Sequence, residues 1–197
     1  MGRNKQYDRA ELLERAVGLF RRHGFSGTST TDLVHELGVN RKSMYAEFGS
    51  KLELFEAALE HYDQGELGLL LAPIEAETAD VDGIKAIFRN FAHASEGDYR
   101  GLGCFLCNTA SERGGLWPEI GPRIDAYFAR IKTAFQRALE NARRSEQIGK
   151  ATDREELADF LTTSLIGAAT SVRAEAPSEQ VWGTYRVISG IMDDLGR

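Results

Sequence analysis

The sequence predicts an all-α fold of about nine helices. Three observations carry that expectation. Only four prolines interrupt 197 residues, and β-branched runs are scarce. Apolar residues recur at three- and four-residue spacing, the period of a helix with one buried face. Capping residues (Ser, Asn, Thr) or a proline stand just ahead of several of those stripes.

Over 8–23, Leu12, Leu13, Ala16, Val17, Leu19 and Phe20 form one stripe, and the segment closes on Arg-Arg-His-Gly. Cations favour the negative end of a helix dipole, and Gly24 suits the left-handed residue that follows a helix. Ser29 with Asp32 reads as a capping box for a helix over 30–37 that turns Leu33, Val34 and Leu37 inward. Gly38-Val39 is a turn, and Asn40 caps a third helix, 41–48, with Met44 and Phe48 on its apolar side. Ser50 and Glu53 form another capping box. The helix they open is expected over 51–71, because nothing breaks it before Pro73, although Gly65 and Gly68 weaken its distal half. Further helices are predicted over 81–94, 104–113 and 123–144. Two more run from the Thr152/Glu155 capping box to 173 and from Pro177-Ser178 to 195. No internal repeat and no low-complexity segment is found.

Composition narrows the class. Apolar residues are 42% and charged residues 27%, ordinary for a soluble globular protein. No apolar run approaches the roughly 20 residues that span a bilayer. The first residues lack a secretory signal, so a cytoplasmic protein with no membrane partner is expected. Two cysteines exclude a disulfide scaffold. Charge is uneven. Residues 1–51 carry nine Lys/Arg against six Asp/Glu, and the remainder carries 15 against 24, for a net −6. A basic end on an acidic body suggests a polyanion contact confined to the N-terminal segment, the alternative being a random surface excess.

Two short helices joined by a glycine turn and packed on a longer one make a helix-turn-helix unit. In such units the second helix enters the DNA major groove, its N-terminal residues toward bases and phosphates. Arg41 and Lys42 fall in the first turn of that helix, Ser43 and Tyr45 add hydroxyls, and Lys51 opens the next helix. Thr30 and Thr31 start the preceding one. Free N–H groups at a helix start favour an anion, and cations neutralise phosphates. Spacing and charge by themselves leave open a plain three-helix bundle with a basic surface.

The run 12–59 resembles the DNA-binding domain of the TetR family of transcriptional regulators. Four features carry the resemblance: the Leu19-Phe20, His23-Gly24-Phe25, Thr28-Ser29 entry; the Asp32-Leu33 to Leu37-Gly38-Val39 turn; the Tyr45, Phe48, Ser50-Lys51 helix; and the Leu54-Phe55-Glu56-Ala57-Ala58-Leu59 continuation. The resemblance implies a helix-turn-helix DNA-binding domain over 1–51 continuing into the connecting helix 51–71. It also implies a helical ligand-binding and dimerisation domain over 52–197. A homodimer, usually a repressor and less often an activator, is implied to bind a (pseudo)palindromic double-stranded operator and to release it when a small effector binds. No cofactor is implied. By position, the DNA-facing residues are Thr30, Thr31, Asn40, Arg41, Lys42, Ser43, Tyr45 and Lys51. Arg41, Lys42 and Ser43 are the expected base readers, since arginine and lysine bond guanine edges. Tyr45 and Lys51 are expected on phosphates, the alternative for Tyr45 being a packing aromatic with a wet hydroxyl. Glu47 departs from the basic or aromatic residue often found there, and is expected to face solvent or steady Lys51.

Cys104 and Cys107 are three apart and share a helical face. Gly101 and Gly103 place Cys104 near a helix start, where the dipole lowers a thiol pKa. A branch of the resembled family shows a similar Gly-Cys followed by an Asn-x-Ala-x-Glu helix, which implies a redox or electrophile sensor. The competing reading makes both cysteines small core hydrophobes. Zinc is disfavoured, because a single Cys-x-x-Cys supplies two ligands and the four histidines show no ligand spacing. The aromatics Phe88, Phe91, Phe105, Trp117, Tyr127, Phe128 and Phe135 suggest a cavity for an apolar or aromatic ligand, the alternative for each taken singly being a place in the core. Phe88, Phe91, Cys104, Cys107, Asn108 and Phe128 are its candidate residues. Glycine inside a helix costs about 1 kcal/mol against alanine, which close helix approach would justify. Leu165, Gly167, Ala168, Gly183, Val187 and Gly190 are therefore candidates for a four-helix dimer interface, the alternative being burial within one subunit. A small helical redox enzyme lacks the sheet pattern its Cys-x-x-Cys would require. No Ser/His/Asp set, paired-carboxylate spacing or phosphate loop points to an enzyme, and a plain interaction bundle leaves the basic helix unexplained.

Overall fold

The computed structural model of the protein describes residues 7–112, 118 and 120–196. Arg113 and Trp117, assigned above to a helix end and to the aromatic interior, lie outside them. The described residues form helices joined by loops, with no strand among them. α1 is Arg9–His23, α2 Thr30–Leu37 and α3 Arg41–Phe48. α4 is continuous through three pieces, Lys51–Tyr62, a π turn Asp63–Leu67, and Gly68–Glu75. α5 is Val81–Ala94, α6 Phe105–Ser111, α7 Ile120–Arg144, α8 Arg154–Arg173 and α9 Ser178–Asp194.

The caps act as the sequence requires. Asp8 accepts the Ala10 N–H, Ser29 and Asp32 cap each other's backbone in both directions, and Asn40 Oδ1 accepts the Ser43 N–H at 2.9 Å. Ser50 Oγ accepts the Glu53 N–H at 3.1 Å. Each such cap contributes about 1 kcal/mol to its helix. Between α2 and α3, Gly38 holds φ 66° and ψ 24°, a left-handed conformation that costs a side-chain-bearing residue roughly 1–2 kcal/mol.

Four expectations need correction. α4 does not end at 71: it carries a π turn and passes Pro73 to reach Glu75. Proline removes the N–H that would bond the carbonyl four residues back, and here that residue is Leu69, which is 79% exposed and so open to water. α6 begins at Phe105 with Cys104 as its flanking cap residue, and it stops at Ser111. α7 begins three residues earlier than expected because Pro122 sits in its first turn, where a missing N–H leaves nothing unpaired. α8 is capped by Asp153 rather than Thr152, its carboxylate accepting the N–H groups of Glu155 and Glu156 at 3.0 and 3.1 Å.

One aromatic cluster joins the N-terminal helices to the rest. Phe55 of α4 meets Phe20 of α1 at 4.9 Å, Phe25 at 5.1 Å and Phe105 of α6 at 5.4 Å, each edge-on. Tyr62 reaches Phe105 from the other side at 5.8 Å. Such pairs add about 0.5–1.5 kcal/mol each beyond the area they bury. The end of α1 is tied to the body by hydrogen bonds as well. Helix ends leave carbonyls without intrahelical partners. Arg173 of α8 donates to the Arg22 carbonyl at 2.6 Å, and Asn108 of α6 to the Arg21 carbonyl at 3.3 Å.

Candidate nucleic-acid interface and ligand cavity

α3 is held from behind by Met44 and Phe48, both buried, so its first turn stands outward. Arg41 and Lys42 are exposed there, and Ser43 is half-buried. The Asn40 side-chain oxygen is spent on the cap, and the residue is exposed. The structure brings four of the expected residues together. Tyr45 and Thr30 share a hydrogen bond at 3.3 Å across the turn, and the Arg41 guanidinium lies 5.7 Å from the Tyr45 ring. The hydrogen bonds from Thr30 and then Arg41 hold the Tyr45 phenol below its usual pKa. Lys51 adjoins the same group and lies 4.2 Å over the Phe25 ring. Burial lowers its pKa, against the raising effect of Glu112, Asp32 and Tyr45. A partly desolvated ammonium beside two hydroxyls and a guanidinium suits a phosphate oxygen. Thr31 is apart from this group: it is exposed and lines a groove with His23, Asp32, His35 and Glu36. Glu47 neither faces solvent nor steadies Lys51. Its side chain is 7% exposed, pairing with Arg9 at 3.5 Å and accepting from the Tyr7 hydroxyl at 3.4 Å. The charge there is spent on anchoring the N-terminal approach to α1.

A cavity of about 400 Å³ opens between the end of α1, the π turn of α4, α5 and the loop before α6. Its wall includes Arg21, Tyr62, Glu66, Leu70, Phe91 and Tyr99. Of the six residues expected there, Phe91 alone lines it. Phe88 is 1% exposed and stacked on Phe135 at 6.1 Å, so it belongs to the core between α5 and α7. Phe128 is half-buried beside Tyr127. Asn108 spends its amide on the Leu102 and Arg21 carbonyls. Arg21, Tyr62, Glu66 and Tyr99 were missed by pattern. The available signal was Arg21 itself, four residues after Val17 on the apolar stripe, where a charge needs a buried partner.

Cys104 and Cys107 lie behind this wall, both buried and both reduced. Their sulfurs lie 3.2 and 3.8 Å from the Tyr127 hydroxyl. Burial raises the Cys104 pKa, but hydrogen bonds from Cys107, Tyr127 and Tyr62 outweigh it and bring the thiol down to about 6. Cys107 goes the other way, pushed up by its hydrogen bond to Cys104 and by burial.

The expected dimer residues divide. Leu165 and Ala168 are 2% and 4% exposed and pack inside the subunit, because they lie on the core stripe of α8. Gly167, Val187 and Gly190 are exposed and Gly183 is half-buried. A Cβ added at Gly167 or Gly190 would meet nothing within 4 Å, so close approach within this chain does not explain either glycine.

No described helix is long and apolar enough to cross a membrane. Among the described residues, no group of three or more His, Cys, Asp or Glu could hold a metal ion.

A glycine-turned helix pair with an exposed basic first turn, carried on a larger helical body, defines a helix-turn-helix transcriptional regulator. Residues 12–58 match the model of bacterial regulatory proteins of the tetR family, and 81–186 match the tetracyclin repressor-like C-terminal domain. The chain belongs to the TetR family of DNA-binding transcriptional regulators, which sets the enzyme reading aside. It is 29% identical to YezE, an uncharacterized HTH-type transcriptional regulator of Bacillus subtilis, over 98% of this chain and all of the relative. It is 30% identical to the transcriptional repressor ComR of Escherichia coli, over 91% of this chain and 86% of the relative. Among solved structures it superposes on a cysteine mutant of the TetR family regulator CifR complexed with a double-strand operator DNA, with TM-score 0.81 and 26% identity, covering 96% of this chain and 98% of that one. The reduced form of E. coli NemR shares the fold, with TM-score 0.78 at 19% identity over 93% of this chain and 96% of that one.

Proposed function

We propose that the protein is a homodimeric repressor that binds a double-stranded operator through α3 and releases it when a small molecule fills the cavity behind α1. Residues 1–51 read DNA, and 52–197 hold the ligand and the second subunit. The observation that carries this reading is the outward first turn of α3, with Arg41 and Lys42 exposed beside the Thr30, Tyr45 and Lys51 group. Arg41, Lys42 and Ser43 contact base edges, while Thr30, Asn40, Tyr45 and Lys51 hold phosphates. Thr31 reaches the backbone only if the duplex extends over the His35 side of α2. The exposed Gly167, Val187 and Gly190, with Phe160 at 45% exposure, support a dimer face on α8 and α9. A two-fold dimer implies an operator of two half-sites about 34–36 Å apart or a multiple of that. Acting on the chromosome, the protein works in the cytoplasm. Fluorescence anisotropy with the DNA upstream of its own gene tests the reading. Specific binding that weakens steeply with salt is expected, and equal affinity for random DNA at every salt concentration would refute it.

A second reading, thiol sensing, is favoured by the low pKa of Cys104 beside Cys107 and Tyr127. Peroxide should then release DNA from the wild type but not from Cys104→Ser/Cys107→Ser. Equal release from both would leave the thiols as core residues.

A further inference from the structure

Arg21 is the feature of the cavity that neither DNA binding nor packing requires. It belongs to α1, yet its guanidinium enters the cavity wall with the side chain 7% exposed. Burying a guanidinium requires that its charge and N–H groups be met. Nε and Nη2 both donate to the Gly103 carbonyl, the former at 2.8 Å. The Tyr62 and Tyr99 rings lie 5.1 and 5.5 Å from the guanidinium carbon. That leaves the Nη1/Nη2 edge. Glu66 meets it with one oxygen, Oε2 to Nη1 at 2.7 Å. A guanidinium edge presents two parallel N–H bonds and can donate one to each oxygen of a carboxylate.

Glu66 is a replaceable partner. Its side chain is 47% exposed and comes from the π turn of α4, so on release it returns to water. An incoming carboxylate that carries a flat apolar body gains what Glu66 cannot. It fills the space beside Leu70 and Phe91, and it covers Leu69, which is 79% exposed at the cavity mouth. A neutral amide of the same shape offers one acceptor oxygen and no charge, so it competes poorly with Glu66 for the edge.

We propose that the cavity is a site for aryl carboxylates, whose carboxylate exchanges with Glu66 on Arg21 while the ring lies against Phe91 and Leu70. The inference rests on the ligand control read above and names the ligand class. The full-length protein is titrated calorimetrically with benzoate, phenylacetate and cinnamate, each beside its primary amide. Acids should bind about tenfold or more tightly than their amides, the value of a charge-assisted hydrogen bond. Glu66→Gln, which removes the competing charge, should tighten acid binding severalfold. Arg21→Met should abolish the preference for acid over amide. Should Arg21→Met fail to fold, the Glu66→Gln result decides. Amides that bind as well as acids, acids weakened by Glu66→Gln, or no binding of any acid at millimolar concentration would each overturn the proposal. DNA affinity is measured separately by anisotropy. Acid binding with the expected Arg21 and Glu66 dependence but unchanged DNA affinity upholds the carboxylate site and removes ligand control.

Discussion

At the scale of single residues, position on the helix separates side chains of the same type. Arg41 and Arg21 are the same side chain, one exposed at a helix start and the other buried at a helix end. Arg41→Ala should cost about 1–3 kcal/mol of operator binding and relax preference at one base position. Lys51→Ala should weaken all sequences alike and lower the salt slope by about one. Titrating anisotropy against salt for both variants separates the two roles. Cys104 gives a pH signature. Its folded pKa near 6 lies below its ordinary 9.0, so over that window the unfolded chain binds the extra proton. Stability should therefore rise with pH from about 6 to 9, be complete above it, and be lost as pH falls through 6. Above that window Cys107 and the raised Tyr62 and Tyr127 phenols reverse the slope. Denaturant unfolding across the range, compared with Cys104→Ser, reads this directly: an unchanged slope in the variant would clear Cys104 of it.

At the scale of elements, local chemistry was legible wherever the partner lay a few residues away. The Ser29/Asp32 box, the Asn40 cap and the Gly38 turn are short-range matters, and α2 and α3 came out with their expected ends. Gly38→Ala tests the turn. At φ 66° it should lose roughly 1–2 kcal/mol and reduce DNA binding, because α3 is aimed by that turn. Thermal unfolding and anisotropy should fall together, and DNA binding that falls with no change in melting would assign the loss to a direct contact. Illegible features depended on partners far along the chain. The π turn of α4 puts Asp63 within 2.6 Å of Arg130 and Glu66 within 2.7 Å of Arg21, partners 67 and 45 residues away. Pro73 looked like a stop because nothing local shows that the carbonyl it strands lies at an exposed turn. Glu47 looked solvated because its partners, Tyr7 and Arg9, lie 40 and 38 residues back. Gly83 carries no local signal, although a Cβ there would meet the Pro73 carbonyl at 2.2 Å. That glycine is what lets α5 cross the end of α4.

At the scale of the whole molecule, the family and the helical architecture were readable because the N-terminal motif is contiguous, whereas the cavity is assembled from α1, α4, α5 and a loop. Aromatic count pointed to the middle of the chain, and Phe88 and Phe135 proved to be filling. The cavity instead opened where an arginine interrupted an apolar stripe. The residues expected at a dimer face divide for a related reason: periodicity marks a helix's small and apolar positions, and pattern cannot say which of them look inward. Leu165→Ala should then cost about 2–5 kcal/mol of subunit stability through a core cavity. Val187→Asp, at 61% exposure, should leave the melting of the isolated subunit nearly unchanged and shift sedimentation toward monomer with loss of operator affinity. A dimer untouched by Val187→Asp would move the interface off this face.

The π turn has a mechanical consequence. An α-helix advances 1.5 Å and about 100° per residue, and a π turn keeps one residue out of that count. α4 is thus two screws in series with a slack thread between them. Lys51–Tyr62 packs on α1 and α3, and Gly68–Glu75 is seated on α5 and α7. Were the turn at Asp63–Leu67 to return to α-helical spacing, one screw would rotate against the other, and Glu66, the carboxylate on Arg21, is part of that thread.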